Sequence, residues 1–380
     1  MTADTGFGVY VHWPFCLAKC PYCDFNSHVS RSIDQEAWRD ALLAELKYFR
    51  KLTGQRTVET VFFGGGTPSL MPADTVSAII DTIGSLWSFS TAPEISLEAN
   101  PTSVEADKFR DYASAGVNRV SMGVQALNDR DLRALGRRHT AAEAAAAFDV
   151  ARSCFDRVSF DLIYARVGQT LSAWEAELGQ ALDMAVDHLS LYQLTIEEGT
   201  RFFDLHALGK LHTPSDDLAA DMYELTQAMT AAAGMPAYEI SNHARPGAES
   251  RHNLLYWRSG EWVGAGPGAH GRIELDGVRT ATETERDPAQ WLSSVAQAGH
   301  GTATLEGVQA EDRAAEYLLM AMRLGEGADL DRFQRWSGRL DETRLDRLVD
   351  QGLLLRENEI LKAAPQGRLV LNRLLAEITI

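Results

Sequence analysis

The chain has 380 residues, 45% of them apolar, enough for one large core and a smaller one. Its 36 lysines and arginines stand against 53 acids, a formal charge of −17, which argues against broad phosphate-backbone binding and anionic lipid but leaves room for a local basic pocket. Four cysteines are too few for a disulfide-stapled secreted protein, and neither a secretory leader nor a run of about 20 apolar residues is legible, so a reducing cytoplasm is the expected compartment.

Short apolar runs alternate with longer amphipathic ones. Strands are predicted over residues 8–12, 59–63, 94–99, 118–122, 158–164 and 188–194, with helices near 34–50, 73–86, 104–115, 140–153 and 171–186. Repeated strand-then-helix units imply an α/β fold with a parallel sheet and outer helices. Six units suit a partial (β/α)6 TIM-like barrel, with a doubly wound sheet as the rival. In a parallel barrel the loops at the strand C-termini carry the chemistry. WPFCLAKCPYCDF follows the first strand and GGGTPS the second, so both are expected on one rim.

A further helix over 215–235 ends a barrel domain predicted to span 1–235. Residues 236–300 read as a Gly- and aromatic-rich extension of ordered loops and short strands laid against the barrel, with HNLLYW at 252–257. Residues 301–380 read as a small C-terminal helical, winged-helix-like domain. Three helical runs from near Asp312 precede a β-hairpin in LLLRENEILKAAPQGRLVL. No sustained basic stripe marks this tail, so it is expected to cover the barrel mouth or meet a protein partner, not nucleic acid.

Cys16, Cys20 and Cys23 fall within eight residues. A four-iron cubane takes four thiolates when the protein ligates it fully, and three leave one iron open to a small molecule. Zinc is the alternative, although it commonly takes four ligands or paired CxxC knuckles; three thiols serving redox exchange are another. Cys154, apart in AFDVARSCF, reads as a small buried apolar residue. Tyr22 is placed to pack against a cluster, an adenine or simply the loop. The GGGTPS run lacks the lysine of a P-loop and the GxGxxG spacing. Its glycines let a backbone approach a ligand closely, or make an ordinary tight turn. No HExxH pattern supports a further divalent metal.

The cysteine loop with the glycine run resembles the radical S-adenosylmethionine enzymes. In that family CxxxCxxC holds a [4Fe–4S] cluster, S-adenosylmethionine binds the open iron, and reduction cleaves its sulfonium to a 5′-deoxyadenosyl radical. The closer resemblance is to the oxygen-independent coproporphyrinogen III oxidase branch. It runs through HWPFC, FFGGGTPSLM, EANP, RVSMGVQ, DLIY, LYQLTIEEGT, YEISNHARPG and GAHGR, nearly the whole chain. This resemblance implies that Gly65, Gly66 and Thr67 line the methionyl end of the cofactor and that Glu98 contacts it from the third strand. It also implies Gln125, Arg137 and Asp161 around the ribose and carboxylate, roles their donors and acceptors suit. One departure is Val167 in DLIYARVGQT, where relatives often carry proline; a less rigid loop is expected there.

A second departure separates two functions. Phe25 stands where the porphyrinogen decarboxylases carry a further cysteine, as CxxxCxxCxC. CDFNS instead resembles the HemW-like haem chaperones, and HNLLYW matches the HNxxYW pattern associated with haem handling. That resemblance implies haem b as cargo, a haem donor, and acceptor haemoproteins such as membrane respiratory enzymes. It makes His252 a candidate for the iron and Tyr256 and Trp257 candidates for the face of the macrocycle. One helical turn would place His252 and Tyr256 on one face. The alternative is a radical S-adenosylmethionine coproporphyrinogen III dehydrogenase, yielding protoporphyrinogen IX by oxidative decarboxylation. Cleavage of S-adenosylmethionine, the electron donor and a homodimer are left open by the sequence.

Overall fold

The computed structural model describes residues 6–30 and 32–379, apart from the side chains of residues 103 and 104. Six parallel strands come first: β1 (Phe7–Trp13), β2 (Thr57–Gly65), β3 (Ser88–Ala99), β4 (Arg119–Gln125), β5 (Arg157–Tyr164) and β6 (His188–Gln193). Each pairs with the next in chain order. A doubly wound sheet reverses its strand order at a switch point; this one does not, so the partial barrel stands and the rival falls.

The sheet continues at both edges. β7 (Asn242–Ala244) pairs antiparallel with β6. On the other side β8 (Glu261–Ala265) pairs parallel with β1, and β9 (His270–Leu275), β10 (Val278–Thr284) and β11 (Thr302–Gly307) follow antiparallel. The glycine- and aromatic-rich extension is therefore not laid against the barrel. Its strands join the sheet, because β1 would otherwise leave a row of unpaired backbone groups at an edge.

Alternation along the strands sorts the two faces. Val9, Val11, Val61, Phe63, Leu97, Val120, Phe160 and Leu191 point outward into one apolar core. Helices α1 (Gln35–Thr53), α2 (Ala73–Leu86), α3 (Ala141–Cys154) and α4 (Leu171–Met184) cover it. On α1, Leu42, Leu46 and Phe49 are fully buried against the sheet, each contributing about 1.5–3 kcal/mol. Asp34 caps α1, and Thr140 with Glu143 closes a capping box on α3. The inward positions are polar: Arg119 bonds Ser159, Ser159 bonds Ser121, and Ser121 bonds Asp161. The lumen is thus built to face a polar ligand.

The predicted helix over 104–115 is two short ones, Ser103–Ala106 and Phe109–Ser114. Glu105 turns inward to accept from Ser69 and the Asn100 N–H, which anchors the first turn to the rim. Helices at Asp129–Ala134 and Arg201–Ala207 carried no strong periodicity in sequence. After α5 (Asp216–Ala232), the HNLLYW segment is helical as α6 (Arg251–Trp257), capped by Ser250; α7 (Pro288–Ala298) follows.

The C-terminal part has its own core, with Leu318, Phe333, Leu345, Leu361 and Leu374 at its centre. Three helices, α8 (Ala310–Ala321), α9 (Leu330–Arg335) and α10 (Glu342–Asp350), precede the hairpin β13 (Leu354–Glu357) and β14 (Ile360–Ala363), with β12 (Ala328–Asp329) as a third strand. The expected hairpin ran too far. Pro365 starts a helical turn at Pro365–Arg368, and α11 (Leu371–Ile378) ends the chain. A bidentate Arg258–Glu326 pair and the Gly325 N–H on the Tyr238 carbonyl dock this unit on the barrel.

Candidate functional site: the barrel rim and a second cavity

The cysteine loop leaves β1 through a fixed set of bonds. Tyr10 donates its hydroxyl to His12 Nδ1 at 2.9 Å, and His12 Nε2 donates to the Asn26 carbonyl at 2.9 Å. Burial lowers the His12 pKa to about 4, so the ring is neutral. Asn26 Nδ2 donates to the carbonyls of Pro267 and Arg286, both at 2.9 Å. Behind them, Gly266 passes so close that a Cβ would lie 2.2 Å from the His12 carbonyl oxygen. The fully buried Glu45 of α1 holds that glycine, accepting from the N–H groups of Gly266 and Gly301 at 2.7 Å and from the Trp291 indole at 3.1 Å.

Thr67 donates to Cys16 Sγ and Arg137 Nη1 to Cys20 Sγ, each at 3.4 Å. Burial pushes the Cys16 and Cys23 thiols up, and the Thr67 hydroxyl only partly offsets it at Cys16. Thiolates there call for a positive partner. Among the described residues, no three His, Cys, Asp or Glu side chains converge on one ion. Three thiols in one short loop, two of them receiving hydrogen bonds from Thr67 and Arg137, suit a cubane that leaves one iron open.

The glycine turn lies against this loop. Gly66 N–H bonds the Trp13 carbonyl and Thr67 N–H the Phe15 carbonyl, at 2.7 and 2.8 Å. Gly65 has φ +112°, and a Cβ on it would stand 2.7 Å from the His12 ring. The turn needs glycine to pass the protein's own loop as much as to admit a ligand.

A cavity of about 440 Å³ opens on the rim. It brings together Cys16, Cys20, Cys23, Tyr22, Gly65, Gly66, Thr67, Glu98, Gln125, Arg137 and Asp161. Glu98 and Asp161 open onto it while lying deep in the barrel. Burial, with the charge of Asp161 adding to it, raises the Glu98 pKa to about 8, against a bond from Gly65 N–H. Burial raises Asp161 to about 6 despite hydroxyls donated by Ser190 and Ser121. Such a pair favours a bound ammonium. Gln125 reaches the cavity from a left-handed φ of 72° at a register shift in β4. Arg137 is seated on the cysteine-loop side, donating to Asn100 Oδ1 at 2.6 Å and the Gly123 carbonyl at 2.8 Å. Tyr22 packs on Phe202, with ring centroids 6.2 Å apart.

The sequence reading missed Asn26, Glu45 and Asn100; only the EANP motif signalled the last. The RVGQT loop is also firmer than its missing proline suggested. The buried Arg166 pairs with Asp131 at 2.8 Å and with Glu177, and Gln169 accepts from the Arg166 N–H. Val167 simply faces solvent, 50% exposed.

The α6 helix places His252 and Tyr256 on one face, centroids 4.4 Å apart. His252 stacks on Phe62 at 4.7 Å, bonds Thr60 Oγ1 through Nδ1 at 2.9 Å, and donates its backbone N–H to Glu94. Its Nε2 is sealed in and has no hydrogen-bond partner among the described residues, and burial lowers its pKa to about 3. The ring therefore lies behind the surface, and reaching an iron from here would require α6 to lift. Tyr256 and Trp257 differ: both line a second cavity of about 710 Å³ between the barrel and the C-terminal unit. Tyr192, at the end of β6, also lines it. Among the described residues, no helix is long and apolar enough to cross a membrane.

The sequence profile of the Radical SAM superfamily matches residues 10–179. Radical S-adenosyl methionine domain-containing protein 1 of Mus musculus is 38% identical over 98% of this chain and 87% of its own. The protein named heme chaperone HemW is 36% identical in Escherichia coli, over 97% of this chain and 96% of the relative. Its Mycobacterium tuberculosis counterpart is 37% identical over 96% and 92%. The solved Escherichia coli coproporphyrinogen III oxidase HemN shares the fold, with TM-score 0.81 and 23% identity over 98% of this chain and 89% of that one. With the cysteine loop, glycine turn and buried carboxyls converging on one barrel rim, the chain belongs to the radical S-adenosylmethionine superfamily, in the group that includes the HemW proteins.

Proposed function

We propose that the chain is a haem chaperone, which takes up haem b and hands it to acceptor haemoproteins. The observation that carries this is the second cavity, where Tyr256 and Trp257 of HNLLYW offer an aromatic wall in a space of about 710 Å³. Ligand sites of this kind are typically about 300–1,000 Å³. His252 acts from behind: stacked on Phe62 and bonded to Thr60, it fixes the face that Tyr256 presents. Membrane respiratory enzymes are the acceptors on this reading, met through protein contacts because an acidic surface resists anionic lipid.

Cys16, Cys20 and Cys23 would hold a [4Fe–4S] cluster, and the rim cavity would take S-adenosylmethionine. Bound there, that pair supplies one-electron chemistry at a sulfonium. Thr67 and Arg137 donate to two of the sulfurs and spread their charge. Glu98 and Asp161 are placed to accept from an ammonium and hydroxyls, and neutral His12 keeps the loop in register through Asn26.

Anaerobic haem titration of the cluster-loaded protein tests this. A saturable Soret band is expected, weakened at least about tenfold in Trp257→Ala, with haem passing to an apo-acceptor. No saturable band defeats the reading. Multiple-turnover decarboxylation of coproporphyrinogen III, measured in parallel, would replace it with the dehydrogenase reading.

A further inference from the structure

We propose that Arg323, Arg368 and Arg373 form a carboxylate clamp in the second cavity, so that its ligand is a flat macrocycle bearing two anionic side chains. The inference rests on the haem reading and deepens it: haem b carries two propionates.

Charge is the first argument. The chain carries −17 overall, yet the lining of this cavity has three arginines and one acid, Glu239. Glu239 is held by its own loop, its Oε1 accepting from the Ser241 N–H and the Asn242 amide.

The second argument is that the cations are available. None of the three arginines is in a salt bridge among the described residues, while Arg166, Arg258 and Arg272 all are. Arg323 donates to the Leu319 carbonyl and to Asn372 Oδ1, and the Arg368 guanidinium lies near the Tyr223 phenol and the His243 ring, both uncharged neighbours. Burial lowers the Arg323 pKa, with the charge of Glu239 acting against it. A guanidinium fork suits a carboxylate, two N–H donors to two oxygens.

Placement is the third. The Arg323 guanidinium lies over the Trp257 ring, 5.9 Å from its centroid, so charge and aromatic surface adjoin in this cavity. Beside Arg368, Leu369 and Val370 are 41% and 45% exposed and form an apolar lip. A ring against Tyr256 and Trp257, carboxylates at the arginines and an apolar edge at the lip match a porphyrin's own division into polar and apolar edges.

Ferric haem and its dimethyl ester, which lacks the two negative charges, are titrated into the cluster-loaded chain, R323Q/R368Q and R373Q. Wild type is expected to prefer haem about 10- to 100-fold. R323Q/R368Q should bind both at the wild-type ester affinity, and R373Q should lose part of the preference. Equal wild-type affinities, or a preference kept by R323Q/R368Q, overturn the clamp while haem binding stands. If neither compound binds wild type, the haem reading itself fails. Circular dichroism and iron content check the double variant; should it misfold, the wild-type comparison and R373Q still decide.

Discussion

Glu45→Gln tests how the rim is buttressed. Glu45 is fully buried and accepts three N–H donors that join α1 to the loops behind the cysteine segment. Burial raises its pKa from 4.5 to about 7. The folded protein therefore keeps this proton where the unfolded chain has lost it, so stability falls as pH rises through the window from 4.5 to about 7. At about 1.36 kcal/mol per unit, the loss is about 0.8 kcal/mol at pH 5 and about 3.3 kcal/mol at pH 8. Glutamine does not titrate, but its amide nitrogen faces a glycine N–H and leaves one buried donor unpaired, at about 1–3 kcal/mol. The variant should be weaker than wild type at pH 5 and stronger at pH 8, the difference moving by about 2.5 kcal/mol. Urea unfolding followed by tryptophan fluorescence, anaerobically and at constant ionic strength, measures it. Buried His12 and His252, with pKa values lowered to about 4 and about 3, destabilise both proteins alike in acid and cancel. Curves that stay parallel within about 0.5 kcal/mol would refute a proton held on Glu45.

Serine at Cys16, Cys20 or Cys23 should cut iron and sulfide from about four per chain towards zero, whereas Cys154→Ser, on α3, should leave both unchanged by chemical assay. Gly65→Ala forces a Cβ to 2.7 Å from the His12 ring at φ +112° and should cost about 2–4 kcal/mol in urea unfolding. His252→Ala empties a stacked site behind Tyr256 and should cost about 2–4 kcal/mol while weakening the Soret band without changing its ligation signature. A lost histidine signature in resonance Raman spectra would instead make His252 a direct iron ligand.

The strands, the cysteine triad and the glycine turn were legible because each is written locally. Short β-branched and aromatic runs such as VETVFF mark a strand whatever lies beside it, and eight residues contain the whole triad. The residues expected at the cofactor share one cavity because consecutive parallel strands leave their C-terminal loops on one rim. Longer-range outcomes had no local signal. Glu45 reads as one more acid on an amphipathic helix, and its glycine partners lie 221 and 256 residues away. The HNLLYW motif was plain, but only packing sealed His252 against Phe62 and left its neighbours Tyr256 and Trp257 lining the cavity. Sequence by itself determined which side chains are candidates for chemistry, since that is a property of residue type and spacing. Tertiary structure decided which of them meet, because burial, pairing at the β1 edge and docking of the C-terminal unit depend on surfaces far apart in the chain.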